Sequence, residues 1–476
     1  MKRLTALLAS ITVLVVGEGR ADRIDDLVSR EMAKRRIPGL ALTVLRNGDI
    51  LTTRTYGFAN LETEAPLRTS SVFELASLTK PFTAAAIMLL VEDGKIGLDE
   101  PISRFINGTP EKWGTIKVRH LLTHTAGFEE LGTPTCEGAD LMDVSTNLQF
   151  AFIRKAPRLF APGEGASYSD PGYFLLGLII EKVSGRRYAQ FMEERIFSPL
   201  GMLSTSVLDQ RRIIKGRVSP YAVREGELRR GRRDWQHELP SFFGIFSTIE
   251  DLAKWEKGLV RGSLLSRPAL EDIWTPARLN DGSVALVYGQ PYGYGWQLGD
   301  YRGRKTVEHG GFTGTYMLRL PEDGLTVIVL SNLDNASGNS PVLVARGLAG
   351  LVDPKYLPAH LLEPSPDPDP ARTAKILDFL HGFGEDGALA MMTAEHRRFF
   401  LHQPEEVRRG MAGLFKAVKT VTYLDEDDVR NRGIERLGIP VARIAYFRSE
   451  ADRGFRYFSF WLTAEGSIAY MVNYPY

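Results

Sequence analysis

The sequence predicts an α+β fold: an antiparallel sheet flanked by helices, with a mostly helical insertion, followed by a small C-terminal α+β unit. Three observations carry this expectation. Apolar Leu40–Leu45 runs into Asn47-Gly48, a strong hairpin signal, and a second strand pair, Thr315–Leu320 and Leu325–Leu330, surrounds Pro321-Glu322-Asp323-Gly324. Between the two pairs, Tyr173–Val183, Ile249–Val260 and Pro268–Trp274 are helical in pattern, joined by Gly- and Pro-rich loops. Finally, Pro364-Ser365-Pro366-Asp367-Pro368-Asp369-Pro370 alternates proline and so reads as an extended linker. The expected division is residues 1–21 as a signal peptide, 22–360 as the main domain, 361–370 as linker and 371–476 as the C-terminal unit.

In chain order, Met1-Lys2-Arg3, the apolar run Leu4–Val16 and the small residues Gly19 and Ala21 have the pattern of a secretory signal. The mature chain is expected to begin near Asp22, to be exported to the periplasm or medium, and to keep no stable membrane span, because the apolar run is shorter than the ~20 residues a span needs. Cys136 is the sole cysteine of the 476 residues, so no intramolecular disulfide can form and stability must come from the core. With 59 basic and 58 acidic side chains, charge gives no support to a nucleic-acid partner. Arg23–Arg36 has helical apolar spacing and precedes the first hairpin.

Ser77 is followed three residues later by Lys80, and no other serine in the chain has a lysine at that offset. On a helix these positions share a face, so hydroxyl and amine meet. Serine is a weak nucleophile at neutral pH, and a neighbouring amine held neutral can take its proton as it attacks. Thr83–Val91 is an apolar, alanine-rich run ending at Gly94, so Ser77 is expected to open a buried helix, where its N–H can stabilise an oxyanion. Pro81 is tolerated in the first turn but removes a donor.

Two further stretches carry chemistry. Tyr168-Ser169-Asp170 follows the turn-rich Phe160–Glu164 and precedes a helix, so a phenol there could face the Ser-Lys pair; near an ammonium it would deprotonate more easily and relay protons. Alone, one of 17 tyrosines is more often a packing residue. In His309-Gly310-Gly311, paired glycines would bare a strand for a substrate backbone and let Phe312 offer its N–H as a second oxyanion donor; alone, the same tripeptide is commonly a bulge with a packed histidine.

Taken in order, Ser77-Leu78-Thr79-Lys80, Tyr168-Ser169-Asp170 and His309-Gly310-Gly311 resemble the three motifs of the serine β-lactamase and penicillin-binding protein superfamily, in particular its class C β-lactamase-like branch of D-alanyl-D-alanine carboxypeptidases, D-aminopeptidases and esterases. His120–Gly127, Ala161-Pro162-Gly163 and Ser247–Leu252 are similar to that branch as well, and the resemblance runs from Asp22 to Leu351. It implies a β-lactamase/transpeptidase-like fold and an acyl-enzyme on Ser77. Lys80 would be the base, Tyr168 the proton relay, the N–H groups of Ser77 and Phe312 the oxyanion hole, and His309, Gly310, Gly311 and Asp170 would line the substrate site. No cofactor or metal is implied. The implied substrates are small esters, D-amino-acid peptides or cell-wall fragments, with a β-lactamase or a silent cell-wall-fragment sensor as alternatives. Two departures matter. The second motif usually ends in Asn, whereas an ionised Asp170 only accepts and adds negative charge beside Lys80. His309 stands where most true β-lactamases have lysine, and so replaces a fixed cation by a group that titrates near neutral pH.

Other features read as structural. His120 and His124 lie four apart without an acidic or cysteine partner at ligand spacing, Arg229, Arg230, Arg232 and Arg233 form a solvated cluster, and Ser247 with Glu250 has capping-box spacing. In the C-terminal unit, Ala371–His381 and Pro404–Val418 are expected helices and Ala442–Arg448, Phe455–Leu462 and Ser467–Asn473 are strands expected to form a curved sheet around a helix.

Overall fold

The computed structural model describes residues 18–130, 142–209, 211–231, 235–335, 341–403, 405–451 and 454–475. The apolar run expected to be a signal, Cys136, and Arg232 and Arg233 lie outside these. The elements that position the site are α1 (Glu18–Arg35), β1 (Gly39–Arg46), β2 (Asp49–Asn60), β3 (Ala65–Pro66), α2 (Lys80–Glu92), α3 (Asp170–Ser184), α4 (Ile249–Arg261), β4 (Gln297–Tyr301), β5 (Arg304–Gly311), β6 (Thr315–Leu320), β7 (Leu325–Ser331), α5 (Pro341–Val352) and α6 (Pro370–His381). Beyond them, β8 (Val418–Asp428), β9 (Arg443–Ala451), β10 (Gly454–Leu462) and β11 (Ile468–Pro475) form a second sheet.

The main sheet has seven strands in the order β4-β5-β6-β7-β1-β2-β3. Asn47 and Gly48 both take positive φ (50° and 80°), which the two-residue turn joining β1 to β2 requires. The first strand then pairs antiparallel with the last, Leu40 opposite Ser331 through Arg46 opposite Leu325, so the two strand pairs at opposite ends of the region close into one sheet. Every residue of β7 is buried because both faces are covered. On one face Leu40, Leu42, Val44, Val327 and Val329 meet Val344 and Leu348 of α5 and Leu27 and Val28 of α1; on the other Ala41, Ile328 and Leu330 join the core that holds α2, α3 and α4.

Several details differ from the sequence reading. Helix α4 is capped by Thr248, whose Oγ1 accepts the Asp251 N–H at 3.1 Å, and not by Ser247, whose hydroxyl turns to Thr205. Pro370 does join a helix: it is the first residue of α6, where a missing N–H costs nothing, and Asp369 caps it. The C-terminal unit also holds the short helices Asp386–Leu389 and Ala394–Leu401 and the whole strand β8, none of which the pattern revealed. Its sheet runs in the order β8-β9-β10-β11, with an apolar cluster of its own in which Phe379 of α6 packs edge-on against Phe460. It docks on the main sheet through Arg302, buried, paired with Asp425 and with Asp427 at 3.1 Å and lying 4.2 Å over the Tyr446 ring.

Candidate active site

The segment before α2 is a tight 3-10 turn, Ala76–Thr79, that leads straight into the helix. Ala76 is held at φ 48°, a left-handed conformation unfavourable for alanine, and the neighbouring backbone is clamped from several sides. Leu75 N–H donates to Ile245 O at 2.8 Å, Ile245 N–H to Thr79 Oγ1 at 3.0 Å, and the Thr313 and Thr315 hydroxyls to the carbonyls of Glu74 and Leu75 at 2.7 and 2.9 Å. Ser77 is thereby presented half-buried on a rigid elbow.

Lys80 is 0% exposed. Its Nζ donates to Ser77 Oγ at 3.1 Å and Phe242 O at 3.0 Å, and lies 2.5 Å from Asp170 Oδ1. It also sits 4.7 Å above the Tyr168 ring, whose hydroxyl faces Ser77. Hydroxyl, amine and phenol from two distant stretches therefore share one small cleft.

Tyr168 is carried there by pairing between the His124–Gly127 and Leu159–Ser167 segments. Leu159, Gly163 and Ser167 N–H groups donate to the carbonyls of Gly127, Thr125 and His124 at 2.9–3.0 Å, and His124 Nδ1 accepts the Ser169 N–H at 3.0 Å. The His124 ring then packs on Tyr168 with centroids 4.5 Å apart, and Tyr288, on the left-handed tip of the Leu286–Pro291 hairpin, stacks on it at 5.3 Å. The phenol does not titrate as the sequence suggested. Burial, and next the negative charge of Asp170, hold its ionisation well above the usual tyrosine range, outweighing the opposing hydrogen bond from Ser77. It rests as a proton donor.

His309 also departs from expectation. It is 3% exposed, its Nδ1–H donates to Gly310 O at 2.8 Å and its Nε2 accepts the Tyr292 hydroxyl at 3.0 Å. Burial, followed by repulsion from Lys80, lowers its pKa to about 3, so near neutral pH it is an uncharged packing group and not a titrating cation. The glycines have separate reasons. Strand β4 pairs with β5 only as far as Glu308, so His309–Gly311 has a ladder partner on one side alone, as a docking strand end requires. The space a side chain would fill at Gly311, however, is taken by the Leu75 carbonyl and the Thr315 hydroxyl, so this glycine is what lets β5 close against the Ser77 elbow. Phe312 follows at the rim, half exposed, its carbonyl accepting the Asn335 N–H at 2.9 Å.

Comparison with known proteins agrees with this geometry. A family model described as Beta-lactamase matches residues 24–348. Penicillin-binding protein 4* of Bacillus subtilis (strain 168) is 31% identical over 408 residues, 79% of this chain and 86% of that protein. The chain belongs to the serine β-lactamase and penicillin-binding protein superfamily, a family of serine hydrolases. Esterase EstB of Burkholderia gladioli is 32% identical over 199 residues, 38% of this chain and half of that esterase. The octameric penicillin-binding protein homologue from Pyrococcus abyssi superposes with a TM-score of 0.62 at 24% identity, covering 93% of this chain and 90% of that one. A match of that extent reaches past Leu351, so likeness of fold continues into the C-terminal unit where the motif resemblance stopped.

Against this superfamily pattern, the three motifs lie together as the sequence implied, while other neighbours of the site were missed. Phe242 supplies a carbonyl to Lys80, Tyr288 roofs Tyr168, and Glu130 Oε2 accepts the Asp170 N–H at 2.7 Å. Glu129-Glu130, directly after the His120–Phe128 stretch, was the available signal. His120 and His124 cap and brace this segment, His120 Nδ1 accepting the Lys117 N–H at 3.2 Å, and no group of metal-ligating side chains occurs among the described residues. Among them, too, no helix is long and apolar enough to cross a membrane.

Proposed function

We propose that this protein is an exported serine hydrolase that forms an acyl-enzyme on Ser77 and acts on esters or on peptide bonds next to a D-amino acid. The observation that carries the reading is the meeting of Lys80 Nζ, 3.1 Å from Ser77 Oγ and 4.7 Å from the Tyr168 ring, with a Tyr168 hydroxyl that faces the same serine. Ser77 Oγ attacks the substrate carbonyl as its proton passes to Lys80 in its neutral-amine form, and the N–H groups of Ser77 and Phe312 receive the oxyanion. Tyr168, kept protonated by its surroundings, gives its proton to the departing oxygen or nitrogen and recovers one from Lys80. Water then releases the acyl group by the reverse path. Export rests on the Met1–Ala21 pattern, and the same proposal divides the chain into a hydrolase domain, 22–360, a linker, 361–370, and a C-terminal domain, 371–476.

β-Lactam hydrolysis ranks lower, because the neutral, buried His309 offers no cation to a substrate carboxylate. A silent cell-wall-fragment sensor is favoured by one observation, the Asp170 carboxylate 2.5 Å from the would-be base. Intact-mass measurement after fluorophosphonate treatment tests the assignment: a single adduct is expected, absent in Ser77→Ala, and labelling of another residue overturns it. Turnover of p-nitrophenyl butyrate separates enzyme from sensor, since muropeptide binding without turnover of any ester or D-aminoacyl amide supports the sensor.

A further inference from the structure

We propose that Glu130 is a positioning residue which, by sharing one proton with Asp170, lets that aspartate serve as the asparagine usual at its place in the superfamily. The inference rests on the acyl-enzyme reading above and accounts for the departure at Asp170. Glu130 Oε2 accepts the Asp170 N–H at 2.7 Å and its carboxyl also hydrogen-bonds the Asp170 side chain, while Asp170 Oδ1 lies 2.5 Å from Lys80 Nζ. Two carboxyl groups in hydrogen-bonding contact do not both ionise readily, and one proton between them gives a unit with both a donor and acceptors and a single negative charge. A side-chain amide likewise offers both donor and acceptor, and a lone carboxylate does not.

The surroundings favour the shared proton. Burial first, then the charge of Asp170, pushes the Glu130 carboxyl up to about 8. Facing the pair are the Lys80 ammonium, the phenols of Tyr168 and Tyr288, and His237. Both phenols are raised and stay protonated, and His237, lowered to about 4 by burial, is neutral, as are His124 and His309 behind them. One ammonium thus faces one net negative charge. When the second carboxyl ionises, the doubled charge holds the Lys80 proton and acylation slows. Without this pair, a lysine base would give a rate that climbs with alkalinity.

The test is kcat for p-nitrophenyl butyrate across pH in the wild type, Glu130→Gln, Glu130→Ala, Asp170→Asn and the Glu130→Ala/Asp170→Asn double variant. The wild-type rate is expected to fall above about pH 8, a fall absent from Glu130→Gln and Asp170→Asn. Glu130→Ala should lower kcat near neutral pH by about tenfold alone but by less than about twofold when added to Asp170→Asn. An equal cost in both backgrounds, or a wild-type rate that rises steadily through the alkaline range, overturns the proposal. Failure of the underlying reading looks different: Ser77 then takes no fluorophosphonate in any variant at any pH.

Discussion

Lys80 in the cleft and Phe458 in the C-terminal sheet are both 0% exposed, and they are buried for opposite reasons. Phe458 sits opposite Phe447 in the strand ladder and packs edge-on against Phe415, 5.6 Å between centroids, in a cluster of apolar side chains that needs nothing further. Lys80 is surrounded by a carboxylate, a hydroxyl, a carbonyl and an aromatic face, each compensating part of the cost of removing an ammonium from water. The contrast teaches that this chain buries charged groups beside partners: in the elbow of Ser77, in the Arg302 contact that docks the C-terminal unit, and in the Glu256–Arg319 pair against the main sheet.

Mirror-image truncations give the sharpest test of that contrast. Lys80→Ala should lower the rate of Ser77 acylation by about a thousandfold or more, read by fluorophosphonate labelling. Phe458→Ala should cost about 3–5 kcal/mol of unfolding free energy in a denaturant titration while the folded enzyme keeps ester turnover within about twofold. Equal losses of rate in both variants would erase the distinction between the two regions. A smaller effect is expected at the boundary of cleft and sheet: Gly311→Ala forces a methyl against the Leu75 carbonyl, and kcat should fall about tenfold as the elbow shifts. An unchanged kcat would mean that β5 does not hold Ser77 in place.

The smallest effect concerns pH and stability. His309 has a folded-state pKa of about 3, below its unfolded value, so the unfolded chain takes up a proton first as pH falls. Its neutral burial therefore stabilises fully above about pH 6.5, and that contribution is lost progressively toward pH 3. His309→Gln should make the decline of melting temperature over this window shallower, although the buried His124 and His237, also lowered, keep part of it. An identical slope in both proteins would place His309 outside the buried site.

What could be read in advance was what depends on near neighbours in the chain. Ser77 and Lys80 meet because three residues make most of a helical turn, Asn47-Gly48 turns because both residues take positive φ, and Leu325–Leu330 is apolar because both its faces are covered. Strand β8 escaped notice because its second half, Asp425-Glu426-Asp427-Asp428, is unlike a strand; the charges of Asp425, Glu426 and Asp427 are met by Arg302, Arg372 and Arg443 from three other segments, with Glu426 2.7 Å from both Arg372 and Arg443. The same holds for Glu130, Phe242 and Tyr288, each brought to the cleft by a loop whose course no local spacing encodes.

The sequence by itself thus determined the pairing of Ser77 with Lys80, the strands that begin and end the sheet, and the order of the three motifs. Only the tertiary structure decided the charge states of His309 and Tyr168 and the partner of Asp170. A neutral His309, a protonated Tyr168 and an Asp170 bound to Lys80 follow from burial and from charges contributed by remote segments, and the free energy of ionising a group is set by what surrounds it in space, not by its neighbours along the chain.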